Sequence, residues 1–247
     1  MSFDISKLLG DWEFCPGQIL VRRFQGEDGT DKIQLRLDLG ILQMNSTGRP
    51  DGKQPHGFDS VYDYYLDRKS KIEGEFKLTE EDCSSLQLEA IQYHHRSLCL
   101  CQLEDYEAVL HDTQRTLDIF IFIDEFAEDD VYLWSVVQWS PQVMMMHTRA
   151  KSALELKEKN FERSIEIIEA GIEQLRTFYS ENTDVDDVDS CDEIQILKDY
   201  LEDLRTQRPI TESERLEKAM GDAIQREDYE KAAFFRDALR KLQPPIK

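Results

Sequence analysis

From Thr79 onward the chain carries so few helix breakers that a mostly helical architecture is the natural expectation. Glycine and proline are the strongest local punctuators of structure. The 247 residues hold only 11 glycines and 7 prolines, too few for a loop-rich all-β fold. Two interruptions stand out, Ser140-Pro141 and an acidic stretch at residues 181–192 with Asp184, Asp186, Asp187 and Asp189 and no basic residue. Tyr106, Leu110, Thr113, Leu117 and Phe120 recur at helical spacing, and so do Phe161, Ile165, Ile168, Ile172 and Leu175. Each set forms one stripe down a helix.

The first 57 residues read differently. Residues 17–24 carry Ile19, Leu20, Val21 and Phe24, and residues 32–38 alternate strictly, with Ile33, Leu35 and Leu37 on one face and Lys32, Gln34, Arg36 and Asp38 on the other. Asp28-Gly29 between them supplies turn chemistry, so a hairpin is expected. Residues 41–44 extend the second strand or start a third, and Gly48-Arg49-Pro50-Asp51-Gly52 is a loop signal. Beyond it, Asp59 or Ser60 is placed to cap a short helix bearing Val61, Tyr64, Tyr65 and Leu66.

Three segments share a local signature: Asp105-Tyr106-Glu107, Asn160-Phe161-Glu162 and Asp228-Tyr229-Glu230. Asp or Asn suits an N-cap, the aromatic can pack back on the preceding turn, and Glu suits the positive end of the helix dipole. The pattern is helix, tight turn, helix, used repeatedly. Residues 92–120 and 147–179 resemble diverged tetratricopeptide repeats. The first two signatures are 55 residues apart, against about 34 in that family, so a further helix is expected around residues 129–138. An irregular helical bundle is the rival reading.

The C-terminal run resembles a UVR domain, the short helical hairpin of the excinuclease B and C subunits, also found in certain Clp-type protease ATPases and bacterial arginine-kinase activators. Leu216, Met220, Ala223, Asp228, Tyr229, Glu230, Ala232, Ala233, Arg236, Asp237, Leu239 and Leu242 occupy its pattern positions. Tyr229 replaces the commoner Phe, Ile224 the second Ala, and Phe235 the usual Leu. Residues 38–44, with the loop at 48–52, are similar to the front of uncharacterised bacterial proteins that end in a UVR motif. The resemblance implies a protein-docking element rather than a catalytic centre, with Met220, Asp228, Tyr229, Glu230, Arg236, Asp237 and Leu239 as docking residues. Phe234, where relatives usually carry a polar or variable side chain, departs from the pattern and is added as a docking residue from its place on the helix, packing on the helical body being the rival account. By helical spacing Leu216, Met220 and Ala223/Ile224 face Tyr229, Ala232, Phe235, Leu239 and Leu242, while Phe234 and Ala238 fall on nearly the opposite side.

Lys and Arg number 30 against 51 Asp and Glu, a net charge of −21 that repels phosphate backbones and argues against direct nucleic-acid binding. The stretch at residues 117–126 is broken by Asp118, Asp124 and Glu125 and is too short to span a bilayer. Met1-Ser-Phe-Asp-Ile-Ser-Lys lacks the basic-then-apolar pattern of a secretory leader. Five cysteines (Cys15, Cys83, Cys99, Cys101 and Cys191) follow no disulfide spacing, so a reduced cytoplasm is expected.

No phosphate-binding loop, dinucleotide fingerprint, serine elbow or zinc-protease motif occurs. His94, His95, Cys99 and Cys101, with Cys83 upstream, are the clustered metal-type residues, but the spacing suits buried cysteines better than a four-ligand zinc site. The acidic stretch lacks the glycine and glutamate of an EF-hand loop and reads as a solvated linker. Arg22, Arg23, Arg36 and Arg49 read as a solvated strand face, His111 and His147 as structural, and Trp134 and Trp139 as core. The expectation is a mainly α, soluble, bacterial adaptor without catalytic, metal or cofactor site. Its parts would be a β-rich module (1–57), a helical-repeat-like body (58–206) and a UVR hairpin (207–247). The alternative is an accessory factor in nucleotide excision repair that works through excinuclease subunits.

Overall fold

The computed structural model describes residues 4–128, 136–210 and 212–242. Its elements are α1 (Ser6–Gly10), β1 (Leu20–Gln25), β2 (Asp31–Leu37), β3 (Gly40–Asn45), α2 (Val61–Ser70), α3 (Glu80–Gln102) and α4 (Tyr106–Phe126). There follow α5 (Ser140–Lys157), α6 (Phe161–Asn182), α7 (Asp192–Gln207), α8 (Glu212–Gln225) and α9 (Tyr229–Leu242). The fold is mainly helical, with one small antiparallel sheet near the N-terminus and a helical pair at the C-terminus. Contacts divide it into two units, Met1–Glu202 and Asp203–Lys247.

The sheet is a meander in the order β1-β2-β3, with Val21 opposite Leu35 and Ile33 opposite Met44. Gly29 takes φ +77° in the first turn, a conformation that costs glycine nothing. Ile33, Leu35 and Met44 cluster with Cys99, Leu100, Val109 and Ala150 of the helices. The other face of β2 is not solvated, as alternation alone suggests: Gln34 and Arg36 are buried and Leu37 is exposed. The reason is the N-terminal segment. Arg22 lies over the Trp12 ring at 4.2 Å and donates to Gln34 at 2.8 Å. Arg36 donates to the Trp12 carbonyl at 2.7 Å and to the carbonyls of Leu37, Asp38 and Gly40 around the β2–β3 turn.

Helix starts follow the capping residues. Ser60 accepts from the Asp63 amide at the head of α2, Thr79 and Asp82 form a capping box on α3, and Pro141 opens α5 in its first turn. Pro141 therefore begins a helix where the sequence alone marks only an interruption. Two buried carboxylates then lock the packing. Asp112 of α4 holds Arg96 of α3 in a bidentate pair at 2.7 and 2.8 Å, and Arg96 also donates to the carbonyls of Asn45 and Gly48. Glu89 of α3 accepts from the first two amides of α2, Val61 and Tyr62, at 2.7 and 3.2 Å. Arg49 Nε lies 3.0 Å from that carboxylate, off the line of a good hydrogen bond.

The three repeated signatures have one structural cause. Glu104, Lys159 and Glu227, each just before the Asp or Asn, take positive φ values of 55°, 62° and 57°. The amides of Asp105, Asn160 and Asp228 then reach back to the carbonyls of Leu100, Glu155 and Ala223 at 2.9–3.0 Å. Those of Glu104, Lys159 and Glu227 bond Cys101, Leu156 and Ile224. This is the Schellman ending of a helix, and the next helix starts from the same Asp or Asn. Asp105 and Asp228 also cap through their carboxylates, whereas Asn160 makes no side-chain cap and bonds Glu155 instead.

The stripes need one adjustment. In α6 the buried set includes Ile168, Ile172 and Leu175, as the spacing predicts. In α4 the most buried line is Val109, Asp112, Thr113, Thr116, Ile119 and Ile123, displaced from Tyr106, Leu110 and Leu117. The polar members are satisfied locally, Asp112 by Arg96 and both threonines by α4 carbonyls. The helix expected around residues 129–138 falls largely outside the described residues, as does Trp134. Trp139 is 53% exposed rather than core.

Candidate docking surface

The α8–α9 pair is built around few buried side chains. Its described buried residues are Ala223 on α8 and Leu239 on α9, with Leu216, Met220, Ala232 and Phe235 half-buried beside them. Small residues at 223 and 232 let two short helices approach closely, and the corner described above joins them. Asp228 anchors that corner twice, accepting from the Lys231 amide at 3.2 Å and pairing with Lys231 Nζ at 2.7 Å. The Lys231 ammonium and amide hold its carboxyl below the usual carboxylate range.

The eight residues singled out from sequence therefore separate by role. Leu239 fills the hairpin core and Met220 borders it, so neither presents an open surface. Asp228 holds the turn. Arg236 and Asp237 pair with each other at 2.9 Å in solvent, and Glu230 is exposed. Tyr229 and Phe234 are each 69% exposed. Phe234 behaves as its position on the helix predicts, its ring edge-on to Phe235 at 5.6 Å. Tyr229 does not: helical spacing groups it with the inward face, but it begins α9 at the rim of that face and points largely to solvent. Ile224 is likewise 51% exposed, because Ala223 takes the inward position beside it. The signal for both was available in the angle each makes with the centre of the stripe.

The other chemistry-bearing residues lie elsewhere. Among the described residues no group of three or more His, Cys, Asp or Glu is arranged to hold a metal ion. Cys99 is fully buried, and burial pushes its thiol up to about 12 and that of Cys83 up to about 11. Burial also lowers His94 and His95, favouring the neutral rings. The arginines of the sheet do not make a free basic patch. Arg22 and Arg36 serve the sheet as described, Arg23 pairs with Asp105 at 2.6 Å, and Arg49 pairs with Asp51 and Glu89. In the acidic stretch, Asp189 is held by Arg176 and Lys198 at 2.8 and 3.2 Å, so this linker is tied to the helices on either side of it. No described helix is long and apolar enough to cross a membrane.

Comparison with known proteins adds one finding. Residues 212–243 match the family model of the UvrB/uvrC motif, and that span coincides with α8 and α9. No curated protein and no solved structure matches the chain.

Proposed function

With a UvrB/uvrC motif as its C-terminal hairpin, we propose that the chain is a non-catalytic adaptor that captures a protein partner on that hairpin, with Phe234 and Tyr229 as anchors. One observation carries the reading. Two large aromatics stand exposed on a hairpin whose own core is little more than Ala223 and Leu239. Aromatics are enriched among the few residues that dominate binding energy at protein interfaces. A reduced cytoplasmic setting fits five free cysteines.

The match to the UvrB/uvrC motif also supports the second reading, an accessory role in nucleotide excision repair through excinuclease subunits. The net charge of −21 supports an indirect contact with DNA over a direct one.

The test is Phe234→Glu in the full chain, used as bait beside the wild type. An exposed anchor predicts a stability change within about 0.5 kcal/mol and loss of the partner captured by the wild type. Excinuclease subunits among the captured proteins favour repair, and a Clp ATPase or a kinase favours proteostasis. A large stability loss, or unchanged capture, sinks Phe234 as the anchor.

A further inference from the structure

The first unit contains a groove of about 660 Å³ between α4, α5 and α6. Three contacts set the direction of its walls. Thr113 of α4 meets His147 of α5 at 3.0 Å, Ser152 of α5 meets Ser164 of α6 at 2.6 Å, and Gly171 of α6 lies against Thr148. With Val109 clustered with Ala150 and Ile119 with Val143 as well, α4 and α5 run antiparallel, as α5 and α6 do. Between its ends the groove is lined by Leu117, Phe120 and Met144, with His147, Thr148 and Gln174 interspersed among them. Ile121 also lines it and is 62% exposed, in the C-terminal part of α4 between the buried Phe120 and Phe122.

The ends of the groove differ in charge. At one end stand Lys151 of α5 and Arg163 and Glu166 of α6, the last two paired at 2.8 Å. That pairing takes up Arg163, and Lys151 stands beside it on α5, with Asp118 of α4 also within electrostatic reach of the His147 ring between them. At the other end stand Asp124 of α4 and Glu181 of α6. Lys151, Asp124 and Glu181 make no ion pair among the described residues. The lining of α4 runs from Gln114 to Asp124, a span of ~15 Å or about three helical turns.

The geometry points to an amphipathic helix of a partner protein as the occupant, its apolar stripe on Ile121 and its two ends oppositely charged. Carboxylates at one end of that helix meet Lys151, and lysines or arginines at the other meet Asp124 and Glu181. Ordinary helices already carry this polarity, since acidic residues are favoured in the first turn and basic ones in the last. A small apolar molecule would use the floor but neither charged end. A uniformly acidic or basic helix would meet like charge at one end, which weakens association. This surface lies in the first unit and uses none of the hairpin residues, so it stands or falls apart from the hairpin reading.

The probes are three synthetic amphipathic peptides of about twelve residues, enough for three turns. All share one leucine stripe. One carries glutamates in the first turn and lysines in the last, one lysines at both ends, and one glutamates at both ends. Titrated into the full chain and followed by fluorescence anisotropy, the mixed-end peptide should bind about tenfold or more tighter than the other two. Ile121→Glu should abolish that binding while leaving the thermal transition in place. Lys151→Glu makes both groove ends acidic and should transfer the preference to the all-lysine peptide. Phe234→Glu, on the hairpin, should leave all three affinities unchanged. Equal affinities, indifference to Ile121→Glu, or an unmoved preference in Lys151→Glu would overturn the inference. So would loss of binding in Phe234→Glu, which would place the peptide on the hairpin.

Discussion

The α3–α4 and α8–α9 hairpins turn the chain with the same backbone and hold it with different forces. Each ends its first helix on a non-glycine residue at positive φ, Glu104 or Glu227, and starts its second from an aspartate. Between α3 and α4, however, Arg96 and Asp112 form a fully buried bidentate pair, with Leu100 and Val109 packed near it. Among the described residues of α8 and α9, the buried pair is Ala223 and Leu239, and no ion pair between the two helices is buried. A local sequence can thus specify the turn, while what lies above it decides whether the hairpin is part of a core. The largest effect should come from breaking the stronger of the two. Arg96→Leu leaves the buried Asp112 carboxyl with only the His111 ring, 3.0 Å away, and also frees the carbonyls of Asn45 and Gly48. Removing one member of a buried pair costs about 3–5 kcal/mol. Chemical denaturation of the full chain should show that loss in the main transition, and a loss below ~1 kcal/mol would mean that the pair is no better than a surface one.

The α5–α6 hairpin offers a second, smaller break of the same kind. It shares the corner, with Lys159 at positive φ, but its helices are held close by Gly171. A Cβ built there would meet Thr148 Cγ2 at 2.3 Å and its hydroxyl at 2.7 Å. Thr148 is branched at Cβ and cannot swing away freely. Gly171→Ala should cost about 1–3 kcal/mol by overpacking, although alanine at an ordinary helical position would help. Adding Thr148→Ala should recover part of that loss, a coupling that a double-mutant cycle reads directly. Additive effects of the two changes would show that the close approach is not what glycine serves at 171.

The parts that sequence made legible are those set by neighbours in the chain. Thr79 with Asp82, Ser60 with Asp63, and Asp28-Gly29 specify helix starts and a turn from residues three or fewer apart. The repeated Asp/Asn-aromatic-Glu signature marks three corners of the same backbone geometry for the same reason. What stayed illegible depends on distant partners. Nothing in the alternation of β2 announces that the Trp12 ring will lie against Arg22 and its carbonyl accept from Arg36, turning a polar face inward. Nothing in the α4 stripe announces that Asp112 is buried, because its partner Arg96 is on another helix. The hairpin surface was half legible: periodicity put Phe234 outside, but it also drew Tyr229 and Ile224 inward, where the smaller Ala223 and Ala232 leave no need for them.

The finest test of the comparison uses the aromatic that follows each corner. Tyr106 and Tyr229 occupy the same place in the same turn, one residue after the capping aspartate. Tyr106 is half-buried in the first unit, where Lys157 Nζ sits 4.7 Å from its ring and donates to the Glu104 carbonyl at 2.9 Å. Tyr229 has 69% of its surface in solvent. If the turn itself needed the aromatic, to pack back on the preceding helix, both tyrosines would matter equally to stability. If surroundings decide, Tyr106→Ala should cost on the order of 1–2 kcal/mol, because it removes half-buried apolar area and an exposed cation–π contact. Tyr229→Ala should stay within about 0.5 kcal/mol, as surface changes do. Measured on the full chain by denaturation, equal losses at the two sites would return Tyr229 to the hairpin core and remove it as a docking anchor. A loss confined to Tyr106 leaves its counterpart with no structural reason to be aromatic, and partner capture by Tyr229→Ala then reads what the ring does.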